Sequence, residues 1–402
     1  MKNIFKRVAA AVLVGAMLPG MSACGESDSG SADEIKIGLI YAHSGSAEMI
    51  ESLSEKAALL AIDEINDAGG VNGKRLTAVS EDWESDEAIA TEKAKKLYLQ
   101  DGVSIILGTC LGTGTQAVRS VAEENGKLFV APTAGSGEDE SPNMVFTGGT
   151  TYTFTKELIP FMAEKFGDRV FCVGSDYYYP VRIEAQTKAL VDRIGGELVG
   201  SEFLPMESTD CSAVITKIMQ AKPDFIYANV VGSTTATFYQ QMKEYGLDIP
   251  IASVITSEMD AVTMGGEYIA GSYSTFNWFA SSENPLSVRF LENFEKAYGR
   301  DDMLKVNATI TASYSSVYLI AEALKSASSQ STDDLKAALA TAEVDTPQGM
   351  FSVDAESGYY AKNYAMIVEW DDGARPVTVF ASESQLPAEP WPDLLFPNGK
   401  PE

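Results

Sequence analysis

The chain has one histidine in 402 residues, His43. A Ser-His-Asp triad or a Cys-His pair needs an imidazole as its base, so either would have to run through that residue. His43 stands before "SGS" in a loop, where shaping the loop is the expected role. GxSxG, HExxH and CxxC are all missing. The glycine-rich "GTCLGTGT" (108–115) lacks the Lys-Ser/Thr ending of a phosphate loop, and the first βα turn carries no dinucleotide fingerprint. No enzyme activity, metal or cofactor is expected. Basic residues are also scarce, 30 Lys and Arg against 57 Asp and Glu, for a net charge of −27. Nucleic-acid binders concentrate Lys and Arg, so phosphate-backbone binding is excluded as a function. Cysteine is sparse too: apart from Cys24 there are Cys110, Cys172 and Cys211, which cannot all pair internally. Buried free thiols are expected rather than a disulfide framework. After the N-terminus no apolar run is long enough to span a bilayer.

The N-terminus itself reads as an export signal over residues 1–23. Lys2, Lys6 and Arg7 precede an apolar stretch from Val8 to Leu18, and small residues follow at the exit. That exit, "MSAC", resembles the lipobox of bacterial lipoproteins, which implies lipidation of Cys24 and an extracytoplasmic, membrane-anchored protein. Residues 24–33, "CGESDSGSAD", have nothing to bury and read as a flexible tether.

The remainder alternates strand-like and helix-like segments. "IKIGLIY" (35–41) is β-rich, and from Ala47 to Ala68 the residues Leu53, Ala57, Leu60, Ala61 and Ile65 recur at helical spacing before "GGVNG" breaks the helix. Strands at "RLTAVSED", "VSIILG" and "KLFVAPT" alternate with helices at "DEAIATEKAKKLYLQ" and "GTQAVRSVAEEN". A second β-α series starts near Thr151 and includes "RVFCVGS", "GELVGSEFLP", "DFIYANVV" and "IPIASVIT" as strands. Near-continuous apolar strands between helices indicate parallel sheets covered on both faces. The fold class expected is therefore α/β, with two doubly wound parallel-sheet lobes joined by a hinge. Helices at 285–299 and 306–328 follow the second series and have to pack on the first lobe. Both lobes are thus expected to be discontinuous: 34–150 plus 279–346, and 151–278 plus 347–385.

In such sheets a ligand sits beyond the carboxyl ends of the strands. Four segments qualify by position: "AHSGSA", "GTCLGTGT", "APTAGSG" and "GSDYYYP". The first-lobe candidates are Gly112 and Thr113 at a helix start and Thr133 and Ala134 after a strand. In "GSDYYYP" the tyrosines directly follow a strand end, so Tyr177 and Tyr179 are expected to face the cleft while Tyr178 packs elsewhere. Rigid phenols orient a small polar ligand at low entropic cost. Glu258 in "ITSEMDA" would accept hydrogen bonds from an amine or amide nitrogen, or serve as a helix-start carboxylate.

The opening "IKIGLIYAHSGSAEMIESLSEKAALLAIDEINDAGGVNGKRL" and the alternation after it resemble type I solute-binding proteins of ABC transporters. "VGSDYYYPVRI", "AKPDFIYANVVGSTTATFY" and "IASVITSEMD" are similar to the urea and short-chain amide branch, related to the branched-chain amino-acid binders. The resemblance implies that Tyr177 and Tyr179 contact the ligand, and that Gly232, Ser233 and Glu258 line the cleft. It also implies a small polar solute and a membrane permease as partners. The first lobe departs from the branch: its serine falls on Gly112 beside Thr113, and a proline on Ala134. A ligand-sensing module of the same fold, or an amino-acid binder, is the alternative reading.

Overall fold

The structure, a computed structural model, describes residues 34–137, 139–398 and 400; the export signal, Cys24 and the tether lie outside the described residues. The first series runs β1 (Glu34–Tyr41), α1 (Glu48–Asp67), β2 (Arg75–Asp82), α2 (Glu87–Leu99), β3 (Ile105–Gly108), α3 (Gly112–Asn125), β4 (Leu128–Ala131) and β5 (Met144–Phe146). The second runs α4 (Thr151–Phe166), β6 (Arg169–Ser175), α5 (Tyr178–Arg193), β7 (Glu197–Leu204), α6 (Ser212–Ala221), β8 (Phe225–Asn229), α7 (Ser233–Glu244), β9 (Ile251–Ser253), α8 (Glu258–Met264), α9 (Gly266–Ile269) and β10 (Tyr273–Phe276). The return segment holds α10 (Pro285–Tyr298), α11 (Arg300–Met303), α12 (Ala308–Ser326), α13 (Thr332–Leu339), β11 (Val344–Thr346), β12 (Gly349–Asp354), β13 (Tyr360–Lys362), β14 (Met366–Trp370) and β15 (Pro376–Ala381).

Two sheets result. The first has the order β11-β12-β13-β5-β4-β3-β1-β2 and the second β15-β14-β10-β9-β8-β6-β7. Neighbours from β13 through β5, β4, β3 and β1 to β2 run parallel, as do those from β10 through β9, β8 and β6 to β7. The added edges, β11-β12-β13 and β10-β14-β15, are antiparallel. Each sheet thus has the expected parallel core, with antiparallel strands added at its edges. Each sheet carries an apolar cluster on both faces: Leu39, Leu107 and Val130 on one side of the first against Ile40, Ile106 and Phe129 on the other. In the second sheet Phe171 and Val173 face one cluster, Val170 and Cys172 the opposite one. This strict alternation is the period-2 geometry of a strand buried on both sides.

One boundary needs correction. Residues 347–385 were expected in the second lobe, yet β12 and β13 belong to the first sheet, and only β14 and β15 join the second. β13 is held there by its parallel pairing with β5, Tyr360 opposite Phe146, whose rings stack at 4.0 Å. The chain thus crosses between sheets at 147–150, at 277–284 and at 363–365. Buried Asn277 and Asn363 join two of these crossings, the Asn277 amide donating to Asn363 Oδ1 at 2.7 Å. Gly149, at φ +79°, lies so close that an added Cβ would stand 2.0 Å from Asn363 Nδ2. The backbone of Leu386 pairs with that of Asn363, so the tail after β15 is anchored at the same place.

Candidate functional site

The carboxyl ends of β6, β8 and β9, three adjacent strands, present Tyr177, Gly232 and Glu258 along one edge of the second sheet. Those of β4, β3 and β1 present Thr133, Gly112 and the loop beginning at Ala42.

The tyrosine run is the start of a helix, not an extended segment. Tyr177 is the N-cap residue of α5, and Tyr178, Tyr179 and Pro180 form its first turn, where proline's missing N–H costs no helical hydrogen bond. Tyr177 and Tyr179 stack at 6.2 Å with planes 20° apart, and Tyr178 meets Tyr177 edge-on at 6.1 Å. Tyr178 does not pack away as expected: it is the most exposed of the three, at 53%. Its hydroxyl stands 3.2 Å from where a Cβ on Gly112 would be, so it spans from the second lobe to the first. The Tyr179 hydroxyl pairs with Thr151 Oγ1 at 2.9 Å, and burial pushes its pKa up to about 12 despite that bond. Burial also raises Tyr177, whose hydroxyl has no hydrogen-bond partner among the described residues.

Thr151 Oγ1 in turn donates to the carbonyl of Gly135 at 3.0 Å, which ties the start of α4 to the loop holding Thr133 and Ala134. Ala134 packs on the same second-lobe cluster as Tyr179, so this first-lobe loop touches both halves. Gln186 Nε2 on α5 donates to the Ser136 carbonyl at 2.8 Å, and the Arg182 guanidinium lies 3.5 Å from Ser136 Oγ and 5.5 Å from the Tyr178 ring. Thr113, Gly232 and Ser233 are exposed at the starts of α3 and α7, and no hydrogen bond among the described residues joins their side chains to the rest.

Glu258 opens α8 behind the N-cap Ser257, whose hydroxyl and amide both engage Asp260 Oδ2 at 2.9 Å. That capping box leaves the Glu258 carboxyl free for another task. It is 5% exposed. Oε1 accepts from the Ala280 amide at 2.8 Å, on the second crossing segment, and Oε2 has no partner among the described residues. Burial raises its pKa to about 8, opposed by backbone donors.

Glu51 escaped the sequence reading. It is fully buried in the first turn of α1, and burial raises its pKa against the pull of four donors. Oε2 accepts from the Ala42 amide at 2.7 Å and Trp83 Nε1 at 2.5 Å; Oε1 accepts from the amides of Cys110 at 2.5 Å and Leu111 at 3.1 Å. Its signal was its place on the buried stripe Glu51, Ser54, Ala58, Ala61 and Ile65, where an acid has no reason to be unless it has partners. His43 contacts Glu55 through Nε2, and its backbone amide binds Asp82, in keeping with a loop-shaping role. Cys110, Cys172 and Cys211 are all free thiols.

Two sheets, each covered by helices on both faces and linked by three crossings, define the two-lobed type I binding-protein architecture. Residues 35–396 match the family described as "Periplasmic binding protein domain", and the chain belongs to that family. It is 28% identical over 352 residues to the leucine-, isoleucine-, valine-, threonine-, and alanine-binding protein of Pseudomonas aeruginosa, covering 86% of this chain and 92% of that one. Among solved structures, the branched-chain amino acid transporter substrate binding protein from Streptococcus pneumoniae, in complex with isoleucine, superposes with a TM-score of 0.76 at 23% identity, covering 88% and 100% of the two chains. A solute binding protein of an ABC transporter from Rhodopseudomonas palustris, in complex with p-hydroxybenzoic acid, gives 0.80 at 21%, covering 89% and 99%. These relatives are binding proteins, not enzymes. No helix among the described residues is long and apolar enough to cross a membrane.

Proposed function

We propose that the protein is the lipid-anchored, extracytoplasmic receptor of an ABC uptake system, holding a small polar solute with an amine or amide nitrogen between its two lobes and handing it to a membrane permease. The observation that carries the choice of solute is Glu258: a buried carboxyl with one oxygen unpartnered among the described residues, bonded through the other to the crossing at 277–284. A buried polar atom left without a partner costs about 1–3 kcal/mol, and a ligand group that pairs with it recovers that amount. Because Glu258 is tied to Ala280, filling it favours one arrangement of the lobes over the other, the differential affinity that closure requires. Tyr177, two strands away at the same ends of the second sheet, supplies a second polar contact. Urea and short-chain amides fit this donor pattern; the amino acids named for the Pseudomonas relative are the second reading, with their ammonium on Glu258.

The test is calorimetric titration of the soluble chain from Gly25, refolded to strip carried-over solute. The panel is urea, formamide, acetamide, larger amides, and branched-chain and polar amino acids. Binding of an amide or amino acid that is lost in Glu258→Gln supports the reading. Binding that survives Glu258→Gln unchanged removes Glu258 from the site.

A further inference from the structure

We propose that Glu51 determines specificity in the cleft: it is a fixed internal carboxylate that fills the first lobe's donors and so turns away solutes ending in a carboxylate. The inference rests on the reading above, that the solute lies in the cleft with its nitrogen on Glu258.

All four partners of Glu51 are donors, three backbone amides and the Trp83 indole. A protonated carboxyl would aim its hydrogen at one of them, and an amide would aim two. Both oxygens must therefore act as acceptors, which requires the anion. No Lys or Arg pairs with it among the described residues, so its charge is uncompensated. Around it, Glu55 pairs with His43, Asp82 accepts from the His43 amide, and Cys110 is a thiol whose pKa burial raises.

The carboxylate is buried directly behind the loop that leads into α3. Leu111, one of the four donors, is the N-cap residue of α3, and the next residue, Gly112, is the one that Tyr178 reaches from the other lobe. A helix N-terminus presents roughly +0.5 elementary charge to a ligand. With a full −1 held against it, the end of α3 faces the cleft with net negative potential. The rim cation Arg182 is engaged with Ser136, Gly137 and Tyr178. A ligand end that docks on α3 is therefore favoured when neutral. Two like charges a few ångströms apart, at an effective dielectric of about 20, discriminate by roughly tenfold or more.

The experiment is a titration of the full mature chain at pH 7 with matched acid and amide pairs, leucine against leucinamide and acetate against acetamide. The wild type should bind the amide of a pair at least about tenfold more tightly. Glu51→Gln should cut that preference about tenfold, whereas Glu51→Asp, which keeps the charge, should retain it although its shorter reach lowers thermal stability. A merely structural residue would weaken both members equally, so an unchanged ratio in Glu51→Gln overturns the proposal. So does a wild type that prefers the acid, which leaves the receptor reading intact. Silence across both pairs and the wider panel defeats the choice of an amide or amino-acid solute and this inference with it. Should Glu51→Gln fail to fold by circular dichroism, the wild-type and Glu51→Asp ratios decide.

Discussion

The titration of Glu258 should make binding depend on pH. Burial lifts its carboxyl from 4.5 to about 8, so at neutral pH the unliganded protein holds a proton there. Because the folded pKa lies above the unfolded one, the proton favours the folded state; that contribution is complete below about pH 4.5 and is lost as pH rises through 8. At about 1.4 kcal/mol per unit, the span amounts to something on the order of 5 kcal/mol. An ammonium ligand needs the carboxylate instead, so binding must expel the proton. For an amine whose own pKa lies above 9, Kd should fall about tenfold per pH unit between roughly 6 and 8 and level off above. Calorimetry in two buffers of different ionisation enthalpy should record release of close to one proton per ligand at pH 7. Glu258→Gln should bind weakly and without the slope. A neutral amide, which can bond to either form, should give a much shallower profile. A steep slope that persists in Glu258→Gln, or an ammonium ligand bound with no proton release, would refute the reasoning.

Tyr177 and Tyr179 should separate cleanly. The Tyr177 hydroxyl has no partner among the described residues, so Tyr177→Phe should leave stability within about 0.5 kcal/mol and weaken solute binding by roughly 5- to 150-fold. Tyr179→Phe instead removes the bond to Thr151 and should lower stability by about 1 kcal/mol in thermal or urea unfolding. Gly149→Ala puts a Cβ against Asn363 at positive φ, and should destabilise by about 1–3 kcal/mol with a measurable change in Kd, although the residue lies on a crossing segment rather than at the strand ends. A neutral outcome there would mean that the Asn277–Asn363 contact does not hold the crossings.

The central architecture was legible because it is written locally. The strands Arg75–Asp82 and Arg169–Ser175 coincide with the segments read from sequence, and α1 lies within one residue of its expected ends. In those segments the apolar residues repeat at the period of the element they build, and Gly or Asp marks the ends. The short strands were invisible: β5, β11 and β13 have three residues each, too few to show a period. The misplacement of 349–362 has the same cause, since β13 is claimed by β5 more than two hundred residues earlier. Tyr178 was expected to pack away from the cleft, yet Pro180 at the helix start permits the helical turn that brings Tyr178 to Gly112.

By itself, then, the sequence determined a two-series α/β chain with no triad, no metal motif and no basic face, and it marked the strand ends where a ligand would sit. Only the tertiary structure decided which residues meet there. Glu51 and Glu258 are both acids in the first turn of a helix; one is saturated by donors from three separate loops, the other keeps an oxygen without a partner among the described residues beside the crossing segment. That difference depends on which amides arrive around each carboxyl after folding, and no local pattern of residues records it.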